Sequence, residues 1–390
     1  MSTFPKCNNF NLIRLVIAMS IMYYHACVMH DGSHDSFFSE AIGILMCFFP
    51  PVPIFFVISG FLITKSYIEN GGNLKHYIVS RVLRIYPALW VNLAIALMLL
   101  FFSGGIKSEG VFSIKFIVWS FFQFVCGIRF FFANTLFDLT TYRSFFPIEY
   151  LWTIPVEIGF YALVPMFYHS LACGKKKRKW LYMVWAGFVI SIRFAVENSQ
   201  FPEFIDQDVL LNVNHTASNI LKISTLPYLW LFLFSSFLYV KWDRVQKYVK
   251  NKFLAWLPIY IVFTLSRVPE RVGLNSTMCL ERWTDVVGYL LMTICVLSFS
   301  CSFPSLRVLN RKVDLSYGIY LNHMQVITLF VYLGFAQSPY FLSLVFIMTL
   351  AVAMASWVLI EKPAFKLKDS LLGKKNNKAD IPFINVDLSR

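Results

Sequence analysis

Residues 10–30 read FNLIRLVIAMSIMYYHACVMH, a run of mostly apolar side chains in which Arg14 is the single residue with a full charge. A helix that crosses a bilayer needs about 20 mostly apolar residues, and comparable runs recur along all 390 residues. Of the whole chain, 57% is hydrophobic and 14% is charged, whereas an ordinary soluble domain has about 25% charged residues. The sequence therefore predicts an all-α polytopic membrane protein and excludes disordered, collagen-like and disulfide-rich secreted chains.

The positions of the charged linkers predict how the chain crosses the membrane. Basic linkers lie in the cytoplasm under the positive-inside rule, which leaves the acidic linkers 31–41 and 199–219 outside. This separation holds only if the run 111–128 enters and leaves on the outer side. We therefore predict ten transmembrane helices, both termini in the cytoplasm, and a re-entrant or interfacial segment at 111–128. The candidate runs are 10–30, 42–64, 84–103, 111–128, 150–171, 180–198, 220–240, 253–268, 283–301, 313–335 and 340–360.

A single membrane-embedded domain is predicted over residues 1–365, followed by a short basic cytoplasmic tail at 366–390. The tail is rich in lysine and too short to fold alone, so we expect a solvated segment near anionic lipid. The net charge of +14 does not indicate a nucleic-acid partner, because the basic residues are confined to linkers between apolar runs. The eight cysteines have no metal-ligand spacing, and no metal is expected.

Arg14 and His25 are ionisable residues inside the first run, where charged groups are costly and usually functional. They are eleven residues apart, close to three helical turns, so they share one face and are separated by about 16 Å along the axis. The structural alternatives are that Arg14 reaches lipid phosphate and that His25 is a hydrogen-bond partner between helices.

Two further ionisable residues, Glu157 and His323, also fall within apolar runs. Glu157 is stacked with Thr153 and Tyr161 at spacings of four residues, and His323 shares a face with Tyr320. Either residue is a candidate for the catalytic site. The structural alternatives are a glutamate that locks neighbouring helices together and a histidine that hydrogen-bonds between helices.

Arg81 and Arg84 lie one turn apart at the predicted start of the third helix. Such a pair converges on one anion, and the guanidinium geometry suits phosphate; the alternative is plain positive-inside anchoring. With Arg14 at the inner mouth and His25 deeper, the basic residues form a path about as long as the pantetheine arm of coenzyme A. Neutral histidine at its end can act as a general base on a thioester or accept the acyl group transiently.

The chain resembles the integral-membrane acyltransferase 3 family, which O-acylates cell-surface sugars. The resemblance implies acetyl-coenzyme A as the donor, Arg14 and His25 as an essential pair, and Arg81 and Arg84 as donor-binding residues. Many family members carry a fused extracytoplasmic hydrolase-like domain, and this sequence departs from that arrangement. The motifs that carry the resemblance are Arg14-x10-His25, FFVISGFLI at 55–63, Arg81-x-x-Arg84-IYP, LWTIPVE at 151–157, SYGIYLNH at 316–323 and EKP at 361–363.

The expected function is therefore a membrane O-acetyltransferase in the bacterial cytoplasmic membrane. The expected partners are the lipid bilayer and a surface-glycan acceptor, polyprenyl-linked or polymerised, such as O-antigen, capsule or exopolysaccharide. Aromatic residues near the outer surface are candidates for stacking on sugar rings, although anchoring at the membrane interface is the commoner role of such residues: Tyr142, Phe145, Phe146, Tyr150 and Trp152. The alternative is a flippase or transporter of a polyprenyl-linked sugar, against which stand the lack of an inverted repeat and the arginine pair.

Overall fold

The computed structural model describes residues 8–30, 37–106, 113–126, 148–172, 187–191, 225–266, 283–303 and 313–372. Within these ranges every long element is a helix and no strand occurs, which confirms the all-α prediction for this part of the chain. The α-helices are α1 Phe10–Met29, α2 Phe37–Phe48, α3 Pro51–Glu69, α4 Leu74–Phe102, α5 Ile114–Cys126, α6 Thr153–Ala172, α7 Leu229–Val240, α8 Trp242–Val249, α9 Phe253–Leu265, α10 Trp283–Cys301, α11 Ser316–Tyr332, α12 Phe341–Ser356 and α13 Lys362–Leu371.

The surface of the helices has the character of a membrane protein. Large apolar side chains face outward, such as Phe102 at 77% exposure and Leu359 at 73%, where water would be a poor solvent for them. By length and composition, five of the described helical segments can cross a membrane: Phe10–Met29, Pro51–Glu69, Leu74–Phe102, Tyr150–Tyr168 and Phe341–Leu371. The count of ten crossings and the side of each terminus stay predictions, since most of 172–219 and the tail beyond 372 lie outside the described residues.

Three boundaries differ from the sequence prediction. The run 42–64 is wrong as a single helix, because α2 ends at Phe48 and α3 begins only at Pro51. Proline lacks the N–H that continues a helix and is tolerated in the first turn, so the pair at 50–51 separates the two helices. Helix α4 begins at Leu74 rather than near residue 84, and its N-cap Asn73 accepts a hydrogen bond from the backbone N–H of His76.

The third difference is at the C-terminal side of the chain. The run predicted to end near residue 360 continues through a π-helical turn, Trp357–Glu361, into α13. Residues 366–371 of the predicted tail are therefore helical, and residues 373–390 lie outside the described part.

Helix α5 occupies the run that the linker charges predicted not to cross. Its 13 residues span about 20 Å, which is short of the hydrocarbon thickness of a bilayer. Two side chains of α4 bind its last carbonyls: the Tyr86 hydroxyl donates to Val125 at 2.7 Å and the Trp90 indole to Phe124 at 2.9 Å. The helix is thus fixed against α4, while its placement in the membrane stays a prediction.

Close packing of small residues brings the site-bearing helices together. Helix α3 packs on α7, and a Cβ at Gly60 would clash with the Ser235 hydroxyl and lie 2.6 Å from the Phe232 carbonyl. Helix α11 packs on both α1 and α12, and a Cβ at Gly318 would lie 3.2 Å from the Ala353 backbone. These glycines bring the helix backbones within direct contact.

Candidate active site

A cavity of about 410 Å³ lies between α1, α3, α4, α6 and α11. This volume is in the range of small-molecule sites. Among the described residues, three arginines and two carboxylates line it: Arg14, Arg81, Arg84, Glu157 and Asp314. Four of the predicted site residues therefore meet in one chamber, although they come from three different helices.

Arg14 and Arg84 converge on one carboxylate. Arg14 Nη1 lies 3.0 Å and Arg84 Nη2 lies 3.3 Å from the same oxygen, Oδ2 of Asp314. The other carboxylate oxygen, Oδ1, accepts hydrogen bonds from the Ser316 hydroxyl at 2.5 Å and the Ser316 N–H at 3.3 Å. Asp314 stands two residues before this serine and ties the start of α11 to the arginines of α1 and α4.

Arg81 lines the same cavity with different partners. Its Nη2 donates to the Ser66 hydroxyl at 3.1 Å, and its guanidinium lies 5.8 Å and 5.5 Å from the ring centroids of Tyr77 and Tyr161. The two arginines predicted to bind one anion thus share the chamber without sharing a protein partner. The Nε of Arg81 is buried and has no hydrogen-bond partner among the described residues.

The predicted face of α6 lines the cavity, since Thr153, Glu157 and Tyr161 all contribute to its wall. The Tyr161 hydroxyl donates to Glu157 Oε1 at 2.5 Å. At the other end, the Tyr320 hydroxyl donates to the Tyr150 carbonyl at 2.7 Å and lies 2.6 Å from Thr153 Oγ1. Because a phenol has a single hydrogen, Thr153 is the donor in that second bond.

His25 and His323 form a hydrogen-bonded pair between α1 and α11. His25 Nδ1 lies 2.8 Å from His323 Nε2, and the rings are stacked with centroids 5.1 Å apart. His323 Nδ1 lies 2.8 Å from the Tyr320 carbonyl and 3.2 Å from that of Ile319. Carbonyls only accept, so in neutral rings His323 carries its proton on Nδ1 and accepts through Nε2. His25 then donates through Nδ1, and its own Nε2 has a free lone pair.

Two pairs of residues hold α1 and α11 parallel. Arg14 meets Asp314 near the start of both helices, and His25 meets His323 further along both. Helix α1 is unbroken between its two site residues, so they are separated by about 16 Å. Both lie on the face that contacts α11, as their spacing predicts.

The cavity does not extend to the histidine pair. Neither His25 nor His323 lines it, whereas Thr153 and Tyr320 do. Tyr320, which precedes His323 by three residues on α11, is hydrogen-bonded to Thr153, and a continuous path from the arginines to His25 stays a prediction. The His25 ring nevertheless packs against protein rather than facing lipid alone, because it stacks on His323.

A buried polar network contacts α11 close to the histidine pair. Asn92 Oδ1 accepts from Gln325 Nε2 at 2.9 Å, and both Asn92 and Tyr150 donate to the Leu321 carbonyl. Tyr150 is 5% exposed, so the expectation that it stacks on a sugar ring is wrong. Trp152 is half-buried against Tyr228. The other predicted aromatic residues, 142, 145 and 146, lie outside the described residues.

Sequence reasoning missed Asp314 and the network of Asn92 and Gln325. Asp314, Asn92 and Gln325 are each a single polar residue in or beside an apolar run. That pattern was the signal by which the sequence could have identified them. Within the described residues, no group of three or more histidine, cysteine, aspartate or glutamate side chains is placed to hold a metal ion.

Comparison with known proteins assigns this arrangement to a family. A family model described as an acyltransferase domain matches residues 8–358. The chain belongs to the acyltransferase 3 family. Together with its long apolar helices, this membership makes it a membrane acyltransferase.

Two kinds of relatives match this acyltransferase. It is 29% identical to Nodulation protein 10 of Rhizobium leguminosarum bv. viciae over 376 residues, which cover 94% of this chain and 96% of that protein. It is 30% identical over 155 residues to putative O-acetyltransferases of Staphylococcus aureus strains COL and MSSA476. Those alignments cover 36% of this chain and 24% of each relative. No solved structure matches the chain.

Proposed function

We propose that this acyltransferase moves an acetyl group from acetyl-coenzyme A to a hydroxyl of a bacterial surface glycan, from within the cytoplasmic membrane. The observation that carries the proposal is the joint placement of two sites along α1. The arginine-lined cavity surrounds Arg14, and the histidine pair begins about 16 Å further along the same helix. The glycan acceptor rests on the family resemblance, and the transfer of an acetyl group to oxygen is supported by the names of the Staphylococcus aureus relatives, which are putative O-acetyltransferases.

The cavity has the donor groups that a nucleotide thioester requires. Phosphates are bound most strongly by guanidinium groups with free N–H donors. Arg81 has a buried Nε without a partner, and Arg14 and Arg84 each use one terminal nitrogen on Asp314. We assign the phosphates of the donor to this cluster and the acyl end of the pantetheine arm to the region of Tyr320 and His25.

His25 is the residue that we assign to the chemical step. The sugar hydroxyl oxygen attacks the thioester carbonyl carbon while its proton moves to His25 Nε2; the C–S bond then breaks, and the thiolate takes that proton to give free coenzyme A. In the alternative sequence, His25 Nε2 attacks the carbonyl carbon and the C–S bond breaks to release the thiolate; the sugar hydroxyl oxygen then takes the acyl group from Nε2, and its proton goes to the thiolate to give free coenzyme A. Both routes need the lone pair on His25 Nε2. Because His25 Nδ1 donates its hydrogen bond to His323, Nε2 points away from His323.

We assign the route from the cavity towards His25 to the side of the cavity that Thr153 and Tyr320 line. These two side chains are hydrogen-bonded to each other, and rotation of either one breaks that bond. Glu157 lines the same cavity as Arg14 and Arg84, and its carboxylate accepts a hydrogen bond from the Tyr161 hydroxyl. We assign to it a role in positioning the arginine cluster, because its charge attracts both guanidinium groups.

The test is transfer of label from acetyl-coenzyme A carrying a radioactive acetyl group, with membranes that contain the full chain and its glycan acceptor. We expect labelled glycan and an equal amount of free thiol. His25→Ala should remove both products.

His30→Ala is the matched control, because His30 directly follows α1 but binds the Ala336 carbonyl and stacks on Phe341. It should retain transfer. A glycan that is fully acetylated in the His25→Ala strain contradicts the catalytic assignment. If wild-type membranes translocate the glycan and leave the thioester intact, the protein is instead a flippase.

A further inference from the structure

Asp314 fills the position in the cavity where an anionic ligand would meet two arginines. Its Oδ2 lies 3.0 Å from Arg14 Nη1 and 3.3 Å from Arg84 Nη2, and its side chain is 15% exposed. All three residues line the cavity. A phosphate that binds this pair of guanidinium groups therefore competes with a carboxylate that is already there.

The carboxylate of Asp314 is also held in place independently of the arginines. Ser316 donates its hydroxyl and its N–H to the second oxygen, Oδ1, at the first turn of α11. The residue is therefore a fixed negative charge, because it is tied to the backbone of a helix and not carried on a long, mobile side chain.

The consequence differs between small and large anions. A small anion offers a single phosphate group and is repelled by the fixed carboxylate at close range. A ligand with several phosphates can meet Arg14 and Arg84 through their remaining N–H groups and also contact Arg81, which lines the same cavity. The carboxylate thus weakens the binding of every anion, but only the larger ligand has further contacts that compensate.

We propose that Asp314 is a specificity-determining residue of the donor site, which excludes inorganic phosphate and other small anions from Arg14 and Arg84. The inference rests on the proposed function for the identity of the larger ligand, coenzyme A. Inorganic phosphate is the probe for the excluded class.

The test compares the full-length wild type with Asp314→Asn in lipid nanodiscs. Asparagine has nearly the same shape and keeps an oxygen that can accept from the N–H and hydroxyl of Ser316, so α11 should form normally. Coenzyme A binding is titrated with and without millimolar inorganic phosphate, and phosphate binding is also measured directly from the shift in melting temperature. We expect the wild type to be insensitive to phosphate and the variant to bind phosphate about tenfold more tightly or better.

Asp369→Asn is the matched control, since Asp369 is an exposed carboxylate on α13, and it should behave as the wild type. An Asp314→Asn variant with wild-type phosphate affinity overturns the inference. If asparagine does not give folded protein, Asp314→Ser keeps a side-chain oxygen that can accept from Ser316 and removes the charge. Tight phosphate binding by the wild type overturns the inference without any variant.

The two proposals fail in distinguishable ways. A wild type that binds no coenzyme A contradicts the proposed function. In that case the direct phosphate titrations of wild type and Asp314→Asn still decide whether the carboxylate excludes small anions.

Discussion

Replacing His323 by leucine tests whether the histidine pair orients the catalytic ring. Leucine fills a similar volume at a position that is fully buried and has no hydrogen-bonding atom. His25 Nδ1 would lose its acceptor at 2.8 Å, while the contact of Arg14 and Arg84 with Asp314 is untouched. The change therefore acts on the orientation and tautomer of His25 and leaves the arginine cluster intact.

The expected magnitude follows from the hydrogen bond that is lost. Leaving a buried donor without its partner costs about 1–3 kcal/mol, which corresponds to roughly 5- to 150-fold in rate. We expect kcat for acetyl transfer to fall by that factor and the donor KM to stay within about twofold, because the lost interaction does not contact the donor phosphates. Removing the base itself, in His25→Ala, should lose a further factor, since general-base catalysis contributes about 10²- to 10⁴-fold.

Initial rates of label transfer from acetyl-coenzyme A measure both parameters. His323→Gln provides an oxygen that accepts from His25 and should lose less than His323→Leu, and His30→Leu makes the same replacement outside the pair. The double variant His25→Ala with His323→Leu should be no slower than His25→Ala alone, since the two residues act as a unit. A His323→Leu protein with kcat within twofold of the wild type would refute the reasoning.

Two more predictions concern donor binding and helix packing. Arg81→Gln removes a charge-assisted contact of about 1.5–3 kcal/mol and should raise the donor KM at least tenfold, with a smaller change in kcat. Lys366→Gln, on the exposed face of α13, should leave the donor KM unchanged. An unchanged KM in Arg81→Gln would mean that Arg81 serves only as a positive charge that sets the membrane topology. Gly60→Val places side-chain atoms against Ser235 and should cost about 1–3 kcal/mol, seen as a lower melting temperature in detergent. Gly187→Ala, which meets open space, should melt as the wild type does, and an equal loss in both variants contradicts the packing argument.

Local periodicity made much of the candidate site predictable. The eleven-residue spacing of Arg14 and His25 placed both on one face of α1, and that face contacts α11. The four-residue spacing of Thr153, Glu157 and Tyr161 placed all three on the cavity wall. These successes share one cause, since 3.6 residues per turn fixes which side chains of a single helix lie together.

Contacts between distant helices were not predictable in the same way. The hydrogen bond from His25 to His323 joins residues 298 positions apart. The local sequence around either histidine does not indicate that the two are in contact. The role of Asp314 was missed for the same reason, because one aspartate in front of an apolar run gives no sign that arginines from α1 and α4 meet there. The prolines between α2 and α3 are visible in the sequence. The prediction relied on hydropathy alone and therefore joined the two helices into one run.

The sequence by itself determined the class of protein and the helix faces on which the ionisable residues lie, because solvent preference and helical repeat act over neighbouring residues. Only the tertiary structure decided the exact ends of the helices, which charges pair, which histidine of the pair donates the hydrogen bond, and which side chains line the cavity. Those outcomes depend on the approach of helices that are far apart in the chain, and small residues such as Gly60 and Gly318 set that approach through contacts that composition does not encode.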